Sequence, residues 1–126
     1  MPKARQVYLV EVAPDGMVHG LASGSVYFVF DPHRRRVIHR ADLARYGGLV
    51  HNGLALGADG MLYVLLTKSI LRIDPRSRRC TKLADAPGAI SAGIAIQAGR
   101  IYFGCGSHLW SVAMPSRSAT SRAARD

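Results

Sequence analysis

The side chains able to do acid–base, metal or thiol chemistry in this 126-residue chain are five histidines, two cysteines and eight carboxylates. Imidazole titrates nearest neutrality, so a histidine pair on one surface could serve as acid and base in a lyase-type reaction. His51 and His108 stand beside turn-forming glycines. His19 falls in a strand-like run, and His33 and His39 accompany arginine-rich stretches. A catalytic pair also needs a carboxylate to orient one imidazole. Glu11, the single glutamate, lies inside the apolar run VYLVEV, away from both. Cys80 and Cys105 have neither metal nor redox spacing and read as free thiols in a reducing compartment. These residues give no catalytic set, and His51 is the one candidate base.

The elements that must position them are legible as a repeat. Residues 53–75, GLALGADGMLYVLLTKSILRIDP, read as three short strands parted by an Asp-Gly and a Thr-Lys turn, and RRCTKLA reads as a fourth. Asp59-Gly60 between apolar runs is a hairpin signal, since such a turn needs positive φ and glycine supplies it without a clash. Asp31-Pro32 recurs at Asp74-Pro75, 43 residues on. Asp15-Gly16-Met17 recurs at Asp59-Gly60-Met61, 44 residues on, and Leu62-Tyr63 at Ile101-Tyr102, 39 residues on. A period of roughly 40–44 residues made of four short strands predicts β-propeller blades.

The expected fold class is therefore all-β: four-stranded antiparallel blades of propeller type, about three of them, forming a partial propeller. Blade 1 covers 5–46, blade 2 covers 47–86, an incomplete blade 3 covers 87–114, and a disordered basic tail covers 115–126. MLYVLL is apolar at every position, so it should be buried on both faces. Stretches 35–40 and 78–83 are polar and basic and suit an outer rim, where charge discourages edge-to-edge pairing. Closed propellers need roughly four to eight blades, so the partners expected are further blades or self-association.

Composition narrows the remaining options. Hydrophobic residues make up 48% of the chain, too many for a disordered protein. No apolar run approaches the roughly 18 residues that span a bilayer, so no membrane partner is expected. The start, MPKARQVYLVEV, lacks the pattern of a signal peptide, and a cytoplasmic location is the default expectation. The net charge is +9, and 14 of the 17 basic residues are arginine. Arg34-Arg35-Arg36 and Arg78-Arg79 have no aromatics interleaved on which bases could stack, so no nucleic-acid partner is expected.

HNGLALGADGMLYV, residues 51–64, resembles the "NGLA…DG…LYV" blade of gluconolactonase and senescence-marker-protein (SMP-30) propellers. RIDP at 72–75 is similar to the third-strand ending of NHL-type and streptogramin-lyase-like blades. The resemblance implies a ligand face built by loops leading into innermost strands and loops joining second to third strands. On that face it would place His51, Asn52, Lys68, Ser91 and His108. In the lactonase family the asparagine of this motif holds a divalent metal, so Asn52 is the metal-ligand candidate that the resemblance implies, with calcium or zinc as the ion. The family's Glu and Asp from other blades have no counterpart here, and the third repeat reads Ser91-Ala92-Gly93 at the matching place. A hard cation wants several oxygens, carboxylates among them. We expect no cofactor of this chain alone. The expected role is a binding or scaffold module with a small-molecule or protein ligand on its channel face. The alternative is a fragment of a lactonase-like or lyase-like enzyme whose metal site other blades complete.

Overall fold

A computed structural model describes residues 6–115; of the tail expected at 115–126, all but the first residue lies outside the described residues. Eleven strands follow one another among the described residues. The first four are β1 (Val7–Val12), β2 (Val18–Ala22), β3 (Val26–Asp31) and β4 (Arg36–Asp42). A single 3-10 turn at Ala44–Tyr46 leads to β5 (Leu49–Leu56), β6 (Leu62–Leu66), β7 (Ser69–Ile73) and β8 (Cys80–Asp85). Then come β9 (Ala92–Gln97), β10 (Arg100–Cys105) and β11 (His108–Ala113). The chain is all-β. Strands β1–β4 form a four-stranded antiparallel sheet, and the rest form a curled seven-stranded sheet in the order β11-β10-β9-β5-β6-β7-β8.

The units recur in their hydrogen bonds as well as in their letters. Asp15 Oδ1 accepts from Met17 N at 2.9 Å, and Asp59 Oδ1 accepts from Met61 N at 3.0 Å. Each carboxylate closes its own turn onto the backbone two residues on, which is the aspartate turn chemistry that the sequence advertises. Asp31 Oδ1 likewise accepts from His33 N and Arg34 N, as Asp74 Oδ1 does from Arg76 N and Ser77 N. Arg35 and Arg78, 43 residues apart, both adopt positive φ, at 55° and 63°.

Three distinct sheets were expected, one per blade, and here the structure differs. The second and third units share a sheet through one parallel pair, His51 with Ala92. Gly93, next along β9, lies against β6: a Cβ there would overlap Leu65 Cδ1. β1 also packs on β5, but without a ladder, and Tyr8 and Leu9 line a cavity with residues 48–52.

The core lies on both faces of β6. Leu62, Val64 and Leu66 pack with Leu21, Tyr27, Val29 and Leu43 of the first unit. Tyr63 and Leu65 pack with Ile90, Ile101 and Phe103 of the third. That is why MLYVLL shows no alternation: every residue of β6 is buried. Each large side chain so buried contributes about 1.5–3 kcal/mol. No residue of β4 or β8 is buried; each strand mixes half-buried and exposed positions. The fourth strand of the second unit, expected to be basic over 78–83, runs instead over Cys80–Asp85, leaving Arg78 and Arg79 ahead of it and Lys82 as its single base.

Candidate functional site

The candidate site begins with a distortion of β5. Leu49 pairs with Leu66 and Leu54 with Val64, so five steps along β5 answer two along β6. The excess residues bulge outward, and a bulge re-aims side chains. Gly53 lies buried beneath them: a Cβ there would be 2.8 Å from Leu65 O and 3.0 Å from Val50 O. Both obstacles are backbone and cannot yield, so only glycine fits. Asn52 turns the chain at φ 56°, in the left-handed region that asparagine tolerates better than most residues. His51 and Asn52 are consequently exposed side by side. They were expected in a loop ahead of the strand. They lie instead inside β5, because pairing starts early, at Leu49.

The two residues form one wall of a cavity of about 600 Å³ between β1 and β5, with Tyr8 and Leu9 opposite and the Ser23–Gly24–Ser25 turn at its edge. A cavity of that volume is in the range that takes small ligands. Its frame is tied by hydrogen bonds. Ser25 Oγ donates to Gly47 O at 2.8 Å, Leu43 N donates to Ser25 O at 2.8 Å, and Ser23 Oγ donates to Gln6 O at 3.2 Å. Those bonds use the one donor of each serine hydroxyl. The His51 ring and the Asn52 amide make no side-chain hydrogen bond among the described residues, so their donors and acceptors are available. No lining residue carries a permanent charge, although the chain as a whole is at +9. The arrangement can hold a neutral polar ligand by amide, imidazole and phenol contacts.

The other expected face residues do not line this cavity. Lys68 is exposed on the turn joining β6 to β7 and lines neither this cavity nor the next. Its backbone is structural: its N–H donates to Tyr46 O, and its carbonyl accepts from Ala86 N. Ser91 Oγ donates to Gly104 O at 3.2 Å and accepts from Gly106 N at 3.1 Å, bracing the turn between β10 and β11. His108 lines a second, smaller cavity of about 370 Å³ with Trp110, Cys105 and Pro87. His51 and His108 therefore line different cavities. Among the described residues, no group of three or more His, Cys, Asp or Glu side chains could hold a metal ion. Among the described residues, no carboxylate lines the cavity with Asn52 to share a cation.

Sequence reasoning missed two features. Tyr8 lies 44 residues before Asn52, one repeat back, and that offset was the available signal for the cavity's second wall. The other is a buried polar cluster in the first unit. His19 Nδ1 hydrogen-bonds Tyr27 Oη at 2.8 Å, and Nε2 is 3.3 Å from Asp15 Oδ2. His39 meets the edge of Tyr27 with ring centroids 5.7 Å apart. Burial pushes the His19 imidazole below its ordinary value, with Asp15 opposing and Arg78 assisting. Burial also lowers His39, helped by Arg78 and His19, and raises the Tyr27 phenol. Cys80 is pushed up by burial, which makes its thiol less reactive.

No family model and no curated protein matches the chain. Among solved structures, its fold is similar to the extracellular domain of a protein described as a hybrid two-component system of B. thetaiotaomicron. The TM-score is 0.65 over 85% of this chain, at 15% identity. This chain spans 15% of that chain's length. At such identity the likeness speaks to the fold alone.

Proposed function

We propose that this chain is a propeller-type binding or scaffold module, with each four-stranded unit a blade and its ligand seated between β1 and β5. The observation that carries this reading is the pairing of His51 and Asn52, projected by a glycine-dependent bulge into an uncharged cavity of about 600 Å³. A bulge held against strain beside a cavity is a feature associated with function. The contact of β1 with β5, and of β5 with β9, supports the blade reading, since innermost strands of successive blades lie next to one another. The SMP-30-like and NHL-like labels belong to the same proposal and rest on the motifs alone. The second reading is an enzyme fragment with a divalent metal at Asn52, completed by other blades. It is favoured by the unpaired Asn52 amide.

Amide-resolved NMR titration with neutral polar probes (monosaccharides, amino-acid amides and short uncharged peptides) tests the module reading. The account predicts shifts at Tyr8, 23–25 and 48–52 for at least one class. Asn52→Gly keeps the left-handed backbone and should abolish those shifts while leaving the rest of the spectrum in place. Shifts confined to the Trp110 cavity, or none with any probe, would contradict it. Calorimetric titration with calcium and with zinc decides between the readings. A one-to-one isotherm lost in Asn52→Gly would replace the module with the enzyme fragment, and the account predicts no such isotherm.

A further inference from the structure

The middle unit shows what each unit does with its two faces. One face of it, Leu62, Val64, Leu66, Leu71 and Ile73, is fully buried against the first unit. The opposite face, Tyr63, Leu65 and Ile70, is fully buried against the third. The same two faces exist on the end units, where nothing covers them among the described residues. In the first unit, register places Val12, Val18 and Phe30 in one cross-strand row and Val10, Gly20 and Phe28 in the next. These rows correspond to Leu62–Ile73 and Val64–Leu71 of the middle unit. Val10 and Val12 are 57% and 59% exposed there. In the third unit Leu109 stands where the middle unit has Ile70, and it is 76% exposed where Ile70 is fully buried.

From this equivalence we infer that a second copy of this chain docks head-to-tail, its third unit covering the first unit of its neighbour. The inference rests on the blade reading, and the occupant follows from the two interfaces already inside the chain. In both, the face containing Leu21 and Tyr27, or Leu65 and Ile70, covers the opposite face of the next unit. The Leu109 face is the third member of the first series, and the Val10–Val12 face is the unmatched member of the second. A contact between two different faces is heterologous, so it closes into a ring or extends into a chain and cannot be a symmetric two-fold pair. Large apolar side chains this exposed on the two end faces are a liability in a lone monomer.

Complementary variants test it. Val10→Lys with Val12→Lys blocks the head, and Leu109→Lys blocks the tail; all three positions are more than half exposed, so circular dichroism should remain that of the native chain. By sedimentation velocity, the native chain should form assemblies whose size grows with concentration until a ring closes. Each variant alone should be a monomer, and an equal mixture should give a one-to-one dimer, because each still carries one intact face. A native chain that stays monomeric to near-millimolar concentration overturns the inference. So does a Leu109→Lys variant that still dimerises, which would indicate symmetric β1 contacts, and so does a mixture that stays monomeric. A head variant that loses its native circular dichroism is replaced by Phe28→Glu, read in the same way. Ligand shifts at His51 and Asn52 in the monomeric Leu109→Lys variant would preserve the binding proposal even if docking failed.

Discussion

At the scale of residues, the sharpest chemistry is in the first unit's buried polar cluster. His19 stands where the second and third units carry Tyr63 and Tyr102, and it uses Asp15 as Tyr63 uses Asp59. Burial lowers its folded value below the ordinary 6.5, so the unfolded chain binds the proton more readily. Its contribution to stability is whole above that ordinary value and is lost as the pH falls from there through the lowered folded value. His39 shifts the same way and adds to the effect. We expect urea-derived unfolding free energy to decline from neutral to mildly acidic pH, and His19→Tyr to flatten that decline to roughly half. A variant that merely lowers stability by the same amount at every pH would show that His19 does not titrate on unfolding. The sequence placed His19 on a packed strand through its alignment with two tyrosines. It could not reveal Tyr27 or His39 as its neighbours, because those contacts depend on register between strands.

At the scale of elements, the strands and turns were legible because their signals are local. Asp-Gly, Thr-Lys and Asp-Pro mark chain reversals by their own backbone preferences, and β10 and β11 fall where the alternation of apolar runs puts them. The bulge in β5 was not legible, since it arises from Gly53 lying against Leu65 O, a contact made across two strands. Nor was the joining of the second and third units into one sheet. Gly47 offers a test at this scale. Its φ is 116°, and a Cβ would lie 2.4 Å from Thr67 Oγ1 and 2.7 Å from Lys68 N. Gly47→Ala should therefore cost on the order of 2–3 kcal/mol, through backbone strain and steric conflict together. It should also loosen the Ser25 to Gly47 bond that frames the cavity. Chemical denaturation reads the first effect. A loss below half a kcal/mol would mean that the link between units is free to move and does not fix the cavity.

At the scale of the whole molecule, the cavity and the docking faces depend on one arrangement: three like units in a row, the middle one covered on both sides and each end open on one. The period was readable from the sequence because the first two units repeat their turns and the third repeats their apolar runs. What covers the ends was not, because a repeat looks the same whether or not it has a neighbour. In such arrays stability is a sum of unit and interface terms, and the unit with two interfaces holds longest. Native-state hydrogen exchange on the Leu109→Lys variant, which removes head-to-tail contacts, measures this most directly. The account predicts that amides of β6 and β7 exchange only through global unfolding, while β1 and β11 open locally and exchange faster. Equal protection of β1, β6 and β11 would mean that one indivisible core holds all eleven strands, and that result would contradict the account.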